Sequence, residues 1–123
     1  MLKREKETDQ LITQILKGIE NVKGQEIEIL DLREIENTVC DYFIICTGGS
    51  NTQVSAIESS IQKTVSKSLQ EKPWHVEGLN NAEWVLMDYV DVVVHIFQKQ
   101  TREFYNIEGL WADARTSKIE TTY

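Results

Sequence analysis

The 123 residues, 14.2 kDa with 41% hydrophobic side chains, one Pro and six Gly, fit one folded domain and exclude tandem domains, collagen-like repeats and a disordered chain. No apolar stretch approaches the ~18 to 20 residues that cross a bilayer, and the start Met1-Leu-Lys-Arg-Glu-Lys-Glu7 lacks a signal-peptide core, so a cytoplasmic protein without a membrane is expected. Thirteen basic against twenty acidic residues leave a net charge of −7, and residues 74–113 hold only Lys99 and Arg102 against seven acids, which argues against sequence-specific nucleic-acid binding and for a basic protein partner.

Ile12, Ile15, Leu16, Ile19 and Val22 recur at helical spacing, and Gly24 stands where a left-handed cap would end the run. Glu26-Ile-Glu-Ile-Leu-Asp-Leu32 alternates at period two over its first four residues and predicts an outer, half-buried strand. Asp41-Tyr-Phe-Ile-Ile-Cys-Thr47 is almost continuously apolar, as a central strand covered on both faces must be. Cys40 and Cys46 fall along that extended segment, roughly 20 Å apart, so reduced thiols are expected. Gly48-Gly49 end the strand, and Ser50-Asn-Thr-Gln53 has capping-box spacing for a second helix, with Val54, Ile57, Ile61, Val65 and Leu69 as its apolar stripe up to Pro73.

Trp74-His-Val-Glu77 predicts a short strand and Gly78 to Asn81 a loop. Glu83 to Tyr89 and Val92 to Phe97 are separated by two residues, the spacing of an antiparallel hairpin. A last helix, capped at Gln100 or Thr101, would carry Phe104, Ile107 and Leu110 on one side. The expected domain covers residues 1–114, one layer of mixed β-sheet with helices against it, followed by a fraying polar tail at 115–123.

The Gly48-Gly49-Ser50 loop, between a buried strand and a helix N-terminus, has the geometry that binds anions. No Walker lysine follows it, however, and the third glycine of a dinucleotide fingerprint is missing. Asp88 and Asp91 are the best remaining acidic pair for a metal, which leaves a nucleotidyltransferase-like enzyme using that loop as the alternative reading. His75, His95, Cys40 and Cys46 lack zinc-ligand spacing, and no Ser or Cys stands in a nucleophile signature, so no catalytic residue, metal or cofactor is assigned.

The aromatic residues are more informative. Trp74, Trp84, Tyr89, Phe104, Tyr105 and Trp111 crowd into the acidic C-terminal half, and Trp84 shares a strand face with Leu86 and Asp88, opposite Val85, Met87 and Tyr89. Aromatic anchors rimmed by acids, here Glu83, Asp88 and Asp91, are the composition of a protein interface.

Asp41-Tyr-Phe-Ile-Ile-Cys-Thr-Gly-Gly-Ser50, Gln53, Ala56-Ile57, Glu83-Trp-Val-Leu-Met-Asp88, Asp91-Val-Val-Val-His-Ile-Phe97 and Arg102-Glu-Phe-Tyr-Asn-Ile-Glu-Gly-Leu-Trp-Ala-Asp113 resemble, in order and spacing, the ribosomal silencing factor (Iojap) family. The resemblance covers residues from about 5 to 114. It implies an α/β sheet like that of nucleotidyltransferases without their catalytic carboxylates, and no enzyme activity. It further implies binding to the large ribosomal subunit through its ribosomal protein fourteen. Blocked subunit joining, lower translation when nutrients are scarce, and a homodimer when free complete the expectation. The surface it assigns is Glu83, Trp84 and Asp88, with Tyr105, Leu110 and Trp111; Tyr89 and Asp91 flank it across the hairpin turn. The family commonly has Gly where this chain has Val90, and Val tolerates a positive φ poorly.

Overall fold

The computed structural model describes residues 3–123. Helix α1 (Lys3–Asn21) leads into strand β1 (Gln25–Asp31), then β2 (Tyr42–Gly48), helix α2 (Asn51–Leu69), β3 (His75–Glu77), β4 (Trp84–Asp88) and β5 (Val92–Gln98). Two short helices, α3 (Lys99–Tyr105) and α4 (Ile107–Leu110), precede a last strand, β6 (Arg115–Ile119). The six strands form one mixed sheet in the order β3-β4-β5-β2-β1-β6, parallel between β2 and β5 and antiparallel elsewhere.

Both long helices cover one face of the sheet. Leu11, Ile15 and Ile19 of α1 and Val54, Ile57, Ile61 and Val65 of α2 meet Ile44 and Cys46 of β2, Val85 and Met87 of β4, and Val92, Val94 and Ile96 of β5. Each buried aliphatic side chain contributes roughly 1.5–3 kcal/mol. The helices cross at Gly18, where a Cβ would lie 2.7 Å from the Ile61 Cα, and the Ser60 hydroxyl donates to the Gly18 carbonyl at 2.7 Å. The capping box at α2 forms: Ser50 Oγ accepts from the Gln53 amide at 3.1 Å, while Gln53 Oε1 accepts from the Gly49 amide at 2.6 Å. Gln70, in the left-handed conformation, ends α2 before Pro73 is reached.

Four local expectations change. Lys23, not Gly24, takes the left-handed step after α1 (φ 58), and the Gly24 amide closes onto the Ile19 carbonyl at 2.9 Å. Strand β1 is not outermost, because β6 pairs along it where a fraying tail was expected from Arg115 onward. The pairing sets Asp31 against Arg115, Glu28 against Lys118 and Ile27 against Ile119, with Ile29 and Leu30 opposite Ser117 and Thr116. A register shift between Gln25 and Glu28, with Glu26 at φ 48, interrupts the alternation in β1. Finally, the last helix is two helices: Asn106 turns left-handed (φ 44) between them, so Ile107 is buried while Phe104 and Leu110 point outward.

Candidate partner-binding face

The sheet face away from α1 and α2 is only partly covered. Phe43 and Ile45 of β2, Val93, His95 and Phe97 of β5, and Trp84 and Leu86 of β4 line it, with Ile107 and Trp111 folded over one side. Strand β4 sorts its side chains strictly: Val85 and Met87 are fully buried toward the helices, while Trp84, Leu86 and Asp88 are half-buried on the open side.

At one end of this face stands an aromatic cluster. The Trp84 ring stacks on Phe97 (4.9 Å, 29°) and meets Tyr105 at 4.9 Å, which in turn meets Phe104 edge-on at 5.0 Å. Trp84 Nε1 donates to His95 Nδ1 at 3.1 Å. The imidazole is 5% exposed, and burial pulls its pKa from 6.5 down to about 4, so the ring is neutral and carries its proton on Nε2. Among the described residues no partner accepts from that Nε2. Phe43 packs edge-on to both His95 (4.6 Å) and Trp111 (5.6 Å). Phe104 is 80% and, on α4, Leu110 77% exposed, apolar surface that water alone does not favour.

The short helices that present these residues are held from below by one buried cation. Arg102 donates through Nη1 to the Glu26 carbonyl at 2.7 Å and to Thr47 Oγ1 at 2.8 Å, through Nη2 to Glu28, and through Nε to Glu108 at 3.1 Å. The run from Arg102 to Trp111 therefore interleaves two sets. Arg102, Ile107 and Glu108 clamp the segment to β1 and β2, whereas Phe104, Tyr105 and Leu110 face out. A hollow of about 540 Å³ beside Arg102 is lined by charges of both signs, among them Glu28 and Glu108, already engaged by the guanidinium.

At the other end of the face Val39, Trp74, Asp88, Val90 and Val93 surround a shallow hollow of about 430 Å³. Trp74 is 81% and Val39 90% exposed. The hairpin turn beside it keeps the geometry that suits glycine: Val90 has φ 77, and the Asp91 amide donates to the Tyr89 carbonyl at 3.1 Å in a three-residue turn. Asp88 Oδ1 stabilises the turn by accepting from the Val90 amide at 2.7 Å. The Asp91 carbonyl takes the amides of Asp41 (2.9 Å) and Tyr42 (3.1 Å), tying the turn to β2.

Of the eight residues expected at the interface, Glu83, Trp84 and Tyr105 lie at the aromatic end, Trp111 packs on Phe43, Leu110 is exposed on α4, and Asp88 and Asp91 lie at the turn. Tyr89 does not belong: it faces α2 and is buried, its hydroxyl pushed well above the usual range by desolvation and then by Glu58. Its place in the strand dictates this, two positions after Met87 on the helix-covered side. Phe104, Trp74, Val39 and Val90 were not assigned and are exposed; for Phe104 the readable signal was Asn106, a residue type that tolerates the left-handed step and ends α3.

The alternative enzymatic pair does not converge. Gly48 lies opposite Gln98 at one end of β5, and Asp88 opposite Val93 at the other, a separation of roughly 16 Å along the strand. The amides of Gly49 and Gln53 are already taken by side chains of the capping box. Among the described residues no group of three or more His, Cys, Asp or Glu comes together, and no helix is long and apolar enough to cross a membrane. Burial raises both thiols, Cys40 to about 11 and Cys46 to about 12, which removes them as nucleophiles near neutral pH.

The family model described as ribosomal silencing factor during starvation matches residues 5–122. The ribosomal silencing factor of Halalkalibacterium halodurans is 36% identical over 111 residues, covering 90% of this chain and 93% of that protein. That of Bacillus subtilis is 41% identical over 99 residues, covering 80% and 81%. A crystal structure of a Chromobacterium violaceum protein superimposes with a TM-score of 0.79 at 31% identity, over 92% of each chain. With its aromatic, acid-rimmed sheet face and the Arg102 clamp inside the matched region, the chain belongs to the ribosomal silencing factor family.

Proposed function

We propose that this protein represses translation by occupancy: it binds the large ribosomal subunit through ribosomal protein fourteen and sterically blocks joining of the small subunit when nutrients are limiting. It acts in the cytoplasm, is a homodimer when free, and uses a nucleotidyltransferase-like sheet as a docking platform with no reaction of its own. The observation that carries this reading is the open sheet face, where Trp84, Tyr105 and Phe104 form an apolar surface in a protein of net charge −7. Such a surface fits a basic protein that also offers apolar contact. The family's name, a silencing factor, supports a regulatory role over a catalytic one.

Co-sedimentation with purified large subunits, followed by a subunit-joining assay, tests the proposal. Inhibition should saturate near one copy per subunit and reverse on washing with high salt. Trp84→Ala should weaken binding by about 2 kcal/mol or more and restore joining. Persistent inhibition at substoichiometric dose, or a folded Trp84→Ala protein that inhibits as well as the unaltered one, would overturn it.

A further inference from the structure

We infer that His95 is a positioning residue of this face, holding the Trp84 indole with its N–H turned inward so that a partner meets ring carbons and never the N–H. The inference rests on the reading of Trp84 as a partner contact and adds how that contact is prepared.

The indole is fixed on three sides: Phe97 stacks beneath it, Tyr105 closes on it at 4.9 Å, and His95 Nδ1 takes its only donor at 3.1 Å. An indole has one polar atom, so the direction of that N–H decides which edge it shows to the outside. With the N–H bound inside, the exposed part of the ring is apolar and electron-rich, suited to aliphatic side chains and to a guanidinium or ammonium laid on it. The setting of His95 points the same way. Phe43 and Phe97 flank the imidazole, at 4.6 and 6.2 Å, and among the described residues no group accepts from Nε2. An aromatic hydrocarbon of similar size would fill this space without burying an unpaired donor. What a phenyl ring could not supply is the acceptor for Trp84.

The test uses the full chain with ¹⁵N label and purified large subunits. In the unaltered protein the Trp84 indole N–H should exchange with solvent far more slowly than that of exposed Trp74, and the His95 nitrogens should show a proton on Nε2. His95→Phe should expose the Trp84 N–H to exchange and weaken subunit binding about tenfold, the scale of coupling between contacting residues. His95→Gln, whose amide oxygen can accept the same bond, should restore binding to within about threefold, and in a Trp84→Phe background His95→Phe should add nothing. If Trp84→Ala abolishes binding while a folded His95→Phe binds undiminished, positioning is overturned and the docking face stands. If Trp84→Ala binds normally, the docking face is overturned and the inference falls with it. Should His95→Phe fail to fold, the unaltered protein still decides: an indole N–H exchanging as fast as that of Trp74, or a His95 proton on Nδ1, refutes the assignment.

Discussion

The two faces of the sheet are made of different material and closed to different degrees. Toward α1 and α2 the layer is chiefly aliphatic, and Ile15, Ile19, Ile57, Ile61, Val85 and Ile96 are withdrawn completely from solvent under two nineteen-residue helices. On the opposite side aromatic rings join the aliphatic side chains, under two helices of seven and four residues that leave Trp84 partly open and Phe104 and Leu110 outside. Both faces bury apolar side chains, but only the second leaves large ones such as Phe104 and Leu110 in solvent.

The largest effect is expected on the open side, at its buried cation. Arg102→Met would leave Glu28 and Glu108 without their cation and detach α3 and α4 from β1 and β2, a loss of about 3–5 kcal/mol in urea unfolding. A variant of unchanged stability would show that the short helices are held by apolar contact alone. Next, Ile57→Ala should cost about 2–5 kcal/mol, whereas Phe104→Ala should stay within ~0.5 kcal/mol yet reduce binding to large subunits. Similar losses at both positions would break the contrast between the faces.

Acid sharpens it further. Between pH 6.5 and about 4 the unfolded chain protonates His95 while the folded chain does not, so the unfolded state binds more protons and stability falls as pH falls through that window. The loss approaches about 3 kcal/mol at pH 4. Unfolding at pH 7.5 and 4.5 checks the sign, and His95→Phe should remove this part of the slope. The smallest change is a gain. Val90→Gly relieves a side chain held at φ 77, and after the extra freedom of glycine in the unfolded chain the net should be about 1 kcal/mol of added stability, read as a higher Tm.

What could be read in advance follows the strength of each pattern. Helices α1 and α2 and strands β2, β4 and β5 announce themselves because burial on one or both faces imposes a period on their side chains. Strand β6 has no such period: Arg115 to Lys118 are all exposed, and its place comes from backbone pairing with β1 and from the Arg115–Glu34 ion pair at 3.2 Å, partners distant in the sequence. The face assignment of Trp84 was legible from simple alternation, and the same alternation places Tyr89 in the core. Arg102 was visible only as one letter of a motif, because four bonds to β1, β2 and α4 depend on the assembled fold. Phe104 was misjudged because a single left-handed residue, Asn106, rotates everything before it away from everything after it.

The closing strand also bears on how copies of the chain behave toward each other. A chain cut after Ala114 would strip the outer flank of β1, uncovering the backbone of the five residues 27–31 that β6 pairs with. Bare strand flanks recruit other strands, and the resulting adhesion grows with concentration. With β6 in place the outermost ribbon carries Arg115 and Lys118 on an exposed polar strand, charges of one sign that repel a like neighbour laid alongside. Those five residues thus act as a selvedge: they add little to the interior and keep the sheet from being extended by a stranger.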